Sequence, residues 1–121
     1  MSKPLIMVVD DCAITLDVTR IHLEEAGLEV ITRSSSIGTT AAILRMKPDC
    51  VLVDVSMPGL TGDKIIKIAR EKNINTKIVL FSAKEENELL KLAGDCGADG
   101  YIMKSNNKYK LVNEVKRFLS R

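Results

Sequence analysis

The chain has 121 residues, which suits one domain over residues 1–121 and leaves no room for a second domain of ordinary size. Its residues are 45% hydrophobic and 28% charged, a balance that is typical of a globular core and excludes a disordered tail. The net charge is +2, and aromatic residues make up 3% with no Trp, which disfavours a surface that stacks nucleobases.

The charge is unevenly distributed along the chain. Residues 104–121 carry a net charge of +5, and the rest of the chain carries −3. A basic segment is a feature of nucleic-acid binding, but a solvated helix face explains this one, so we do not expect a nucleic-acid partner. No apolar run approaches the roughly 18 residues of a membrane span, and the three cysteines form no CxxC pair. We therefore expect a cytoplasmic protein with reduced thiols and no membrane contact.

Five short apolar runs predict five strands. They lie at Leu5–Val9, 28–32, Cys50–Val53, 77–81 and 101–103. Continuous apolar runs of this length are typical of strands that are buried on both faces, as in a parallel sheet.

Apolar residues at helical spacing predict a helix after each strand. The predicted buried stripes are Ile14, Val18 and Ile21; Ile37, Ala41 and Leu44; Ile65, Ile66, Ile68 and Ala69; Leu89, Leu90, Leu92 and Ala93; and Leu111, Val112, Val115 and Leu119. We expect Gly27 to end the first helix, and Gly94 or Gly97 to end the fourth. The hydroxyls of residues 34–36 are expected to cap the second helix. This alternation predicts a parallel sheet covered on both faces through right-handed crossovers.

Polar side chains follow four of the five predicted strands. They are Asp10 and Asp11 after the first, Asp54 after the third, Ser82 after the fourth and Lys104 after the fifth. In an open α/β sheet these positions share the edge at which ligands bind. Clustered carboxylates repel one another unless a cation lies between them, and oxygen ligands favour a hard ion such as Mg²⁺. With an ammonium and a hydroxyl beside them, they suit the handling of a phosphoryl group, with Asp54 as the nucleophile.

Four short motifs carry a resemblance over essentially the whole chain. They are Asp10-Asp11, Asp54-x-x-Met57-Pro58-x-x-x-Gly62, Ser82-Ala83 and Lys104, each at a strand end. With these motifs the sequence resembles the receiver domains of two-component response regulators, of the chemotaxis-regulator type. The resemblance implies a flavodoxin-like (βα)5 fold with a doubly wound five-stranded parallel sheet of order 2-1-3-4-5. We expect one receiver domain and no output domain in this chain.

The resemblance also implies a chemistry. Asp54 would accept a phosphoryl group from the phosphohistidine of a histidine kinase or phosphotransfer protein, and Ser82 and Lys104 would contact the phosphoryl oxygens. The implied magnesium ligands are Asp10, Asp11, Asp54 and the backbone carbonyl of Ser56. The domain would then be a signalling switch rather than an enzyme, with only its own phosphorylation and dephosphorylation as activities.

The family's switch would move Ser82 and Tyr101 and alter the surface of the fourth helix, fifth strand and fifth helix. Ser56 and Lys84 lie two residues beyond Asp54 and Ser82, at positions that resemble those tuning the phosphoryl lifetime. We expect the Lys84 ammonium to shield the phosphoryl group from water. The family commonly has proline after Lys104, and this chain has Ser105. A cis bond before a non-proline residue costs about 2.5–4 kcal/mol, so we expect a trans bond or a rearranged loop.

Some of these residues have simpler interpretations. Asp10 and Asp11 would also serve as a capping pair at a helix N-terminus, and Ser82 as the cap of the fourth helix. Tyr101 is explained equally well as a half-buried strand tyrosine with a hydrogen-bonded hydroxyl. The carboxylates before Cys12 are expected to raise the pKa of its thiol and to reduce its reactivity.

The sequence is also compatible with other functions. The protein would act as a monomer or a phosphorylation-dependent dimer, reach an output partner that the sequence does not name, or pass the phosphoryl group onward as a phosphorelay intermediate. An Mg²⁺-dependent aspartyl-phosphate phosphatase of the haloacid dehalogenase type would need an acid two residues after Asp54, where Ser56 stands. A flavodoxin-like cofactor binder is disfavoured because Asp10 and Asp11 would repel a phosphate.

Overall fold

The computed structural model describes residues 3–105 and 107–121, so residues 1, 2 and 106 of the predicted domain lie outside the described part. Its elements are β1 (Leu5–Val9), α1 (Ala13–Glu25), β2 (Glu29–Arg33), α2 (Thr39–Met46), β3 (Cys50–Val53), α3 (Gly62–Glu71), β4 (Lys77–Ser82), α4 (Glu86–Cys96), β5 (Gly100–Met103) and α5 (Lys108–Leu119). The predicted alternation is confirmed, and every predicted strand boundary lies within one residue of the observed one. Within the described ranges, no helix combines the length and apolar character needed to cross a membrane.

The five strands form one parallel sheet in the order β2-β1-β3-β4-β5. β1 lies between β2 and β3, so that Val9 pairs with both Arg33 and Val53. Because every strand runs in the same direction, all five carboxyl ends meet at one edge of the sheet. The strand order implied by the resemblance is confirmed.

Successive residues of a strand pack alternately into two separate cores, one on each face of the sheet. Met7 and Val9 of β1 pack into a core that also contains residues of α2, α3 and α4. Ile6 and Val8 point the other way, into a core that contains residues of α1 and α5. The sheet is therefore covered on both faces, which explains why β1, β3 and β4 are apolar along almost their whole length.

The predicted buried stripes of the first two helices are wrong. Ile14, Val18, Ile21, Ile37, Ala41 and Leu44 are exposed, and the buried residues are Leu16, Thr19, Leu23, Thr39, Ala42 and Ile43. In each helix a threonine occupies the core face and interrupts its apolar periodicity, so the neighbouring stripe has the more hydrophobic pattern. Thr39 is 1% exposed and satisfies its hydroxyl by donating to the carbonyl of Ser35 at 3.2 Å.

The other three helices agree better with their patterns. Ile65, Ile66 and Ala69 are buried in α3, Leu89 and Ala93 in α4, and Leu111 and Val115 in α5, and the sequence pattern missed Phe118. Leu90 is an exception, because it is 60% exposed although it was predicted to be buried.

Glycines end two of the helices as predicted. Gly97 directly follows α4, and Gly27 comes one residue after α1, beyond Ala26. Their φ angles are +84° and +87°, a conformation that glycine adopts without strain. The predicted serine cap of α2 is wrong, because that helix begins after Gly38 and has no side-chain cap. The bond between Lys104 and Ser105 is trans, since none of the described peptide bonds is cis.

The two stripes of α1 can be distinguished by stability measurements. Leu23 is 0% exposed and Ile21 is 44% exposed. We expect Leu23→Ala to lower the free energy of unfolding by about 2–5 kcal/mol, because it opens a cavity in the core. Ile21→Ala is expected to lower it by less than about 1 kcal/mol, since little buried surface is lost. Urea denaturation of both variants measures the difference, and equal losses would contradict this burial.

Candidate functional site at the carboxyl ends of the strands

Two buried aspartates lie side by side because their strands are neighbours in the sheet. Asp10 follows β1 and Asp54 follows β3, and the residues just before them, Val9 and Val53, pair across the ladder. The backbone N–H of Asp54 donates to the carbonyl of Val9 at 2.9 Å, which fixes the start of the turn after β3. The two aspartates are 1% and 6% exposed, so their carboxylates are largely removed from bulk water.

Asp11 adds a third carboxylate to this pair. It is exposed in the loop after β1, and one oxygen each of Asp10, Asp11 and Asp54 lie within 4.8 Å of one another. Parallel strands thus bring together the three acidic residues that the sequence places on two separate loops. Carboxylates this close repel one another and favour a bound cation.

Lys104 reaches into the acidic group from the end of β5. Its Nζ lies 2.7 Å from Oδ2 of Asp10 and 3.4 Å from Oδ1 of Asp54, so one ammonium contacts both buried carboxylates. The backbone N–H of Lys104 donates to the carbonyl of Ser82 at 2.8 Å, which holds the two strand ends together. The ammonium also lies 5.6 Å from the centroid of the Phe81 ring, a cation–π distance.

The pKa values at this site follow from burial and from the ion pairs. Burial raises the pKa of Asp54, the nearby Lys104 ammonium works against that rise, and the charge of Asp10 adds to it. For Lys104, burial lowers the pKa, but the hydrogen bond to Asp10 and the charge of Asp54 outweigh burial and leave the pKa raised. Lys104 therefore stays an ammonium, while the ionised form of Asp54 is disfavoured unless more positive charge is supplied.

The donor set fits a magnesium ion. Its three carboxylates offer oxygen atoms within 4.8 Å of one another, and hard divalent ions prefer oxygen. The ammonium of Lys104 offsets one of three negative charges, so the group still carries an excess that a divalent cation would neutralise. The backbone of Ser56 follows two residues after Asp54 and would bring a fourth oxygen from an exposed position.

The remaining predicted site residues lie around α4. Ser82 is 2% exposed, and its Oγ accepts a hydrogen bond from the backbone N–H of Lys84 at 3.2 Å. The Lys84 ammonium lies 3.6 Å from a carboxylate oxygen of Glu88. Tyr101 is half-buried, and its hydroxyl donates to Oε1 of Glu86 at 3.1 Å. Burial, followed by this hydrogen bond, raises the pKa of the Tyr101 hydroxyl.

The capping interpretations of the acidic pair and of Ser82 are wrong. The N-cap residue of α1 is Cys12, which makes no side-chain cap, and Oδ1 of Asp10 instead accepts from the backbone N–H of Cys12 at 2.9 Å. The N-cap residue of α4 is Glu85, three residues beyond Ser82. The side chains of Asp10 and Ser82 therefore bond backbone N–H groups of the loops after β1 and β4, and neither is the N-cap residue of a helix.

Gly62 brings the start of α3 against the backbone of Asp54. A Cβ atom at Gly62 would lie 2.3 Å from the carbonyl oxygen of Asp54, closer than any real contact. The backbone N–H of Gly62 also donates to the carbonyl of Val55 at 3.2 Å. The glycine that the sequence motif contains is therefore required by a close approach of two backbone segments.

Sequence reasoning missed two features of the site. Ser36 is 4% exposed and its hydroxyl bonds to the turn after Asp54, a role with no signal in a run of three serines.

For Cys12, the expected rise in thiol pKa is wrong: hydrogen bonds with Thr15 lower the pKa and outweigh the opposing charge of Asp10.

Comparison with known proteins identifies the family. Residues 6–116 match the response regulator receiver domain family. This chain belongs to that family. As a receiver domain, it shares the role of its family as a signalling switch of two-component systems, in agreement with the resemblance inferred from the strand-end motifs.

The receiver domain is 31% identical over 116 residues to the DNA-binding response regulator MtrA of Mycobacterium tuberculosis (strain ATCC 25618 / H37Rv). It is also 31% identical over 116 residues to the alkaline phosphatase synthesis transcriptional regulatory protein PhoP of Bacillus subtilis (strain 168). Each match covers 96% of this chain but 50% and 48% of those proteins, so the chain spans about half their length. Because these relatives are named as regulators that bind DNA or act in transcription, they give no support to the expectation that nucleic acid is not a partner.

Solved structures agree with the fold. A response regulator from Thermotoga maritima is 30% identical with a TM-score of 0.85, covering 99% of this chain and 100% of that one. A receiver domain of a Francisella response regulator is 26% identical with a TM-score of 0.89, covering 98% of both chains. The receiver fold is therefore shared over nearly all of the chain.

The close approach at Gly62 is testable by adding one methyl group. We expect Gly62→Ala to lower the free energy of unfolding by about 1–3 kcal/mol, because the new Cβ collides with the Asp54 carbonyl. The matched control is Gly94→Ala, since nothing lies within 4 Å of a Cβ at this position inside α4. There alanine is expected to raise the free energy of unfolding by about 0.5–1 kcal/mol. Urea denaturation measures both, and a stabilising Gly62→Ala would contradict the packing.

The raised pKa of Asp54 predicts a pH-dependent stability. The folded state binds a proton at Asp54 more readily than the unfolded state, so this site stabilises the fold at low pH. That contribution is lost as pH rises from about 3.9, the unfolded-state value, through the raised folded-state pKa. With a chelator present, we expect Asp54→Asn to become more stable than the wild type across this window and to stay so at neutral pH. Thermal unfolding at a series of pH values measures the difference in stability between the variant and the wild type. A stability advantage of Asp54→Asn that shrinks as pH rises would contradict a raised pKa at Asp54.

Proposed function

We propose that this receiver domain accepts a phosphoryl group on Asp54 from a histidine kinase or phosphotransfer protein, in a reaction that depends on Mg²⁺. The observation that carries the proposal is the contact of one ammonium, that of Lys104, with two buried carboxylates, Asp10 and Asp54. This arrangement places Asp54 in a poorly solvated site with positive charge on one side, and a bound divalent cation would supply the further charge that keeps it a carboxylate. Such a carboxylate is suited to act as a nucleophile toward phosphorus.

In the proposed transfer, an oxygen of Asp54 attacks the phosphorus of the donor phosphohistidine. The new P–O bond forms as the P–N bond breaks, and the imidazole nitrogen keeps the electron pair of the broken bond. Lys104 would neutralise part of the charge on the phosphoryl oxygens. Mg²⁺ held by Asp10, Asp11, Asp54 and the carbonyl of Ser56 would supply further neutralisation and orientation.

The contacts of Ser82 support a role in sensing the phosphoryl group. Its Oγ already accepts a hydrogen bond, from the backbone N–H of Lys84, and no described acceptor takes its hydroxyl hydrogen. That hydrogen remains free to bond a phosphoryl oxygen. Movement of Ser82 toward Asp54 would pull on the segment between β4 and α4.

We further propose that this movement reaches the surface formed by α4, β5 and α5. Tyr101 of β5 is tied to Glu86 of α4 by a hydrogen bond across that surface. A shift of α4 would break or lengthen this bond and change the exposure of the tyrosine ring. Phosphorylation would then alter partner binding through a shift between two packings.

The output of the switch belongs to the same proposal. The domain would act in the cytoplasm, as a monomer or a phosphorylation-dependent dimer, on a downstream partner or as a phosphorelay intermediate. MtrA, which is named as DNA-binding, is about twice as long as this chain, so DNA binding is an outcome to test here. Family membership disfavours the phosphatase and cofactor-binding alternatives.

Phosphorylation by a small donor tests the proposal. We expect acetyl phosphate with Mg²⁺ to add the mass of one phosphoryl group to the wild-type protein, and beryllofluoride with Mg²⁺ to shift amide resonances of α4 and β5. Both effects should vanish with a chelator and in Asp54→Asn. A mass increase that persists in Asp54→Asn, or the absence of any Mg²⁺-dependent response, would overturn the proposal.

A further inference from the structure

Ser36 is a buried hydroxyl in an exposed loop. It lies between β2 and α2 and is 4% exposed, while Ser34, Ser35 and Ile37 around it are exposed. Burial of a hydroxyl is unfavourable unless its hydrogen bonds are satisfied, so its contacts explain its position. All of those contacts are with the turn that follows Asp54.

The hydroxyl makes two hydrogen bonds to this turn. Oγ of Ser36 donates to the carbonyl of Pro58 and accepts from the backbone N–H of Leu60, each at 3.3 Å. The other backbone hydrogen bonds of the turn are local: Met57 donates to the carbonyl of Val55, and the N–H of Leu60 is shared with the carbonyl of Pro58. Among the hydrogen bonds of the described residues, the two to Ser36 are those that tie residues 56–61 to a distant part of the chain.

The loop that carries Ser36 is itself held in place. An Nη2 hydrogen of Arg33 bonds the carbonyl of Ile37 at 2.8 Å. The hydroxyl of Thr39, which is buried at the start of α2, donates to the carbonyl of Ser35 at 3.2 Å. The backbone N–H of Thr39 donates to the carbonyl of Ser36 at 3.3 Å. Hydrogen bonds within its own loop therefore hold Ser36 in place, so that it can support the turn after Asp54.

The supported turn borders the acidic site. It begins directly after Asp54 and contains Ser56, whose carbonyl is the proposed fourth magnesium ligand. A cleft of about 310 Å³ is lined by Asp11, Ser36 and Pro58 among others, so the exposed carboxylate and the supported turn face the same space. The position of the Ser56 carbonyl relative to the carboxylates depends on how firmly this turn is held.

We propose that Ser36 is a positioning residue for the phosphoryl-transfer site. Its two hydrogen bonds hold the turn after Asp54, and in this conformation the Ser56 carbonyl would join the three carboxylates as a ligand of Mg²⁺. Losing them would weaken Mg²⁺ binding while leaving every carboxylate ligand in the chain. This inference rests on the proposed Mg²⁺-dependent function, and it adds a residue outside the strand-end motifs to that site.

Three variants test the inference. Ser36→Ala removes both hydrogen bonds, and Ser36→Cys replaces the hydroxyl with a somewhat larger thiol that bonds weakly. Ser34→Ala alters an exposed serine of the same loop and is the control. Without metal, we expect amide hydrogen exchange at Leu60 to accelerate about fivefold or more in both Ser36 variants, as the loss of one hydrogen bond predicts. Ser34→Ala should exchange like the wild type.

Titration with Mg²⁺, followed by the amide resonances of residues 55–62, gives the second measurement. We expect both Ser36 variants to need several-fold more Mg²⁺ for half-saturation. Their phosphorylation by acetyl phosphate should be slow at limiting Mg²⁺ and near the wild-type rate at saturating Mg²⁺. If the role of Ser36 were purely structural, the variants would be less stable in urea, but their phosphorylation rates would not differ from the wild type more at limiting than at saturating Mg²⁺.

The outcomes separate the two proposals. If the wild type binds Mg²⁺ and is phosphorylated but Ser36→Ala behaves identically, the inference about Ser36 is overturned and the proposed function stands. If Ser36→Ala folds poorly, the Mg²⁺ affinity of Ser36→Cys decides between the outcomes. An affinity equal to that of the wild type would overturn the inference, and a weaker affinity would support it. If the wild type itself shows no response to Mg²⁺, the proposed function fails first.

Discussion

The contact of Lys104 with Asp10 and Asp54 is the interaction on which the rest of the site depends. Two carboxylates that are 1% and 6% exposed could not remain charged side by side without a compensating cation. The Lys104 ammonium contacts both of them from the end of β5, at 2.7 and 3.4 Å. Removing Lys104 would leave both buried carboxylates uncompensated, and breaking a buried ion pair in this way typically destabilises a protein by about 3–5 kcal/mol. The apparatus for signalling is therefore also part of what holds the strand ends together.

Parallel pairing gives this contact its geometry. Val9 and Val53 are opposite one another, so the aspartates that follow them must be neighbours. Lys104 enters from β5, which is separated from β3 by β4, and its long side chain crosses that width above Phe81. A shorter cation at position 104 would not span the gap. The sheet therefore fixes the carboxylates rigidly, while the cation that neutralises them is carried on a flexible stem.

Much of this site could be predicted from the sequence because its residues follow apolar runs directly. Once Leu5–Val9 and Cys50–Val53 are recognised as buried strands, the edge where Asp10 and Asp54 meet follows from the direction of parallel strands. Helix faces were harder to predict, because threonines on the core face of α1 and α2 made the exposed stripes look more apolar. Ser36 could not be found at all, since its role depends on two loops meeting in space and one serine among three carries no pattern.

The close packing of Gly62 against Asp54 means that the site can give way more easily on one side than on the other. On the α3 side, a would-be Cβ lies 2.3 Å from the Asp54 carbonyl, so the backbone there has no space into which to retreat. On the side of β5, the contact with Asp54 is made by the ammonium at the end of the Lys104 side chain, which turns about single bonds. Asp54 is therefore bordered by tightly packed backbone on one side and by a flexible side chain on the other. Under the proposed phosphorylation of Asp54, displacement would therefore be directed across the sheet toward β4 and β5, and the missing methyl group of Gly62 would set its direction.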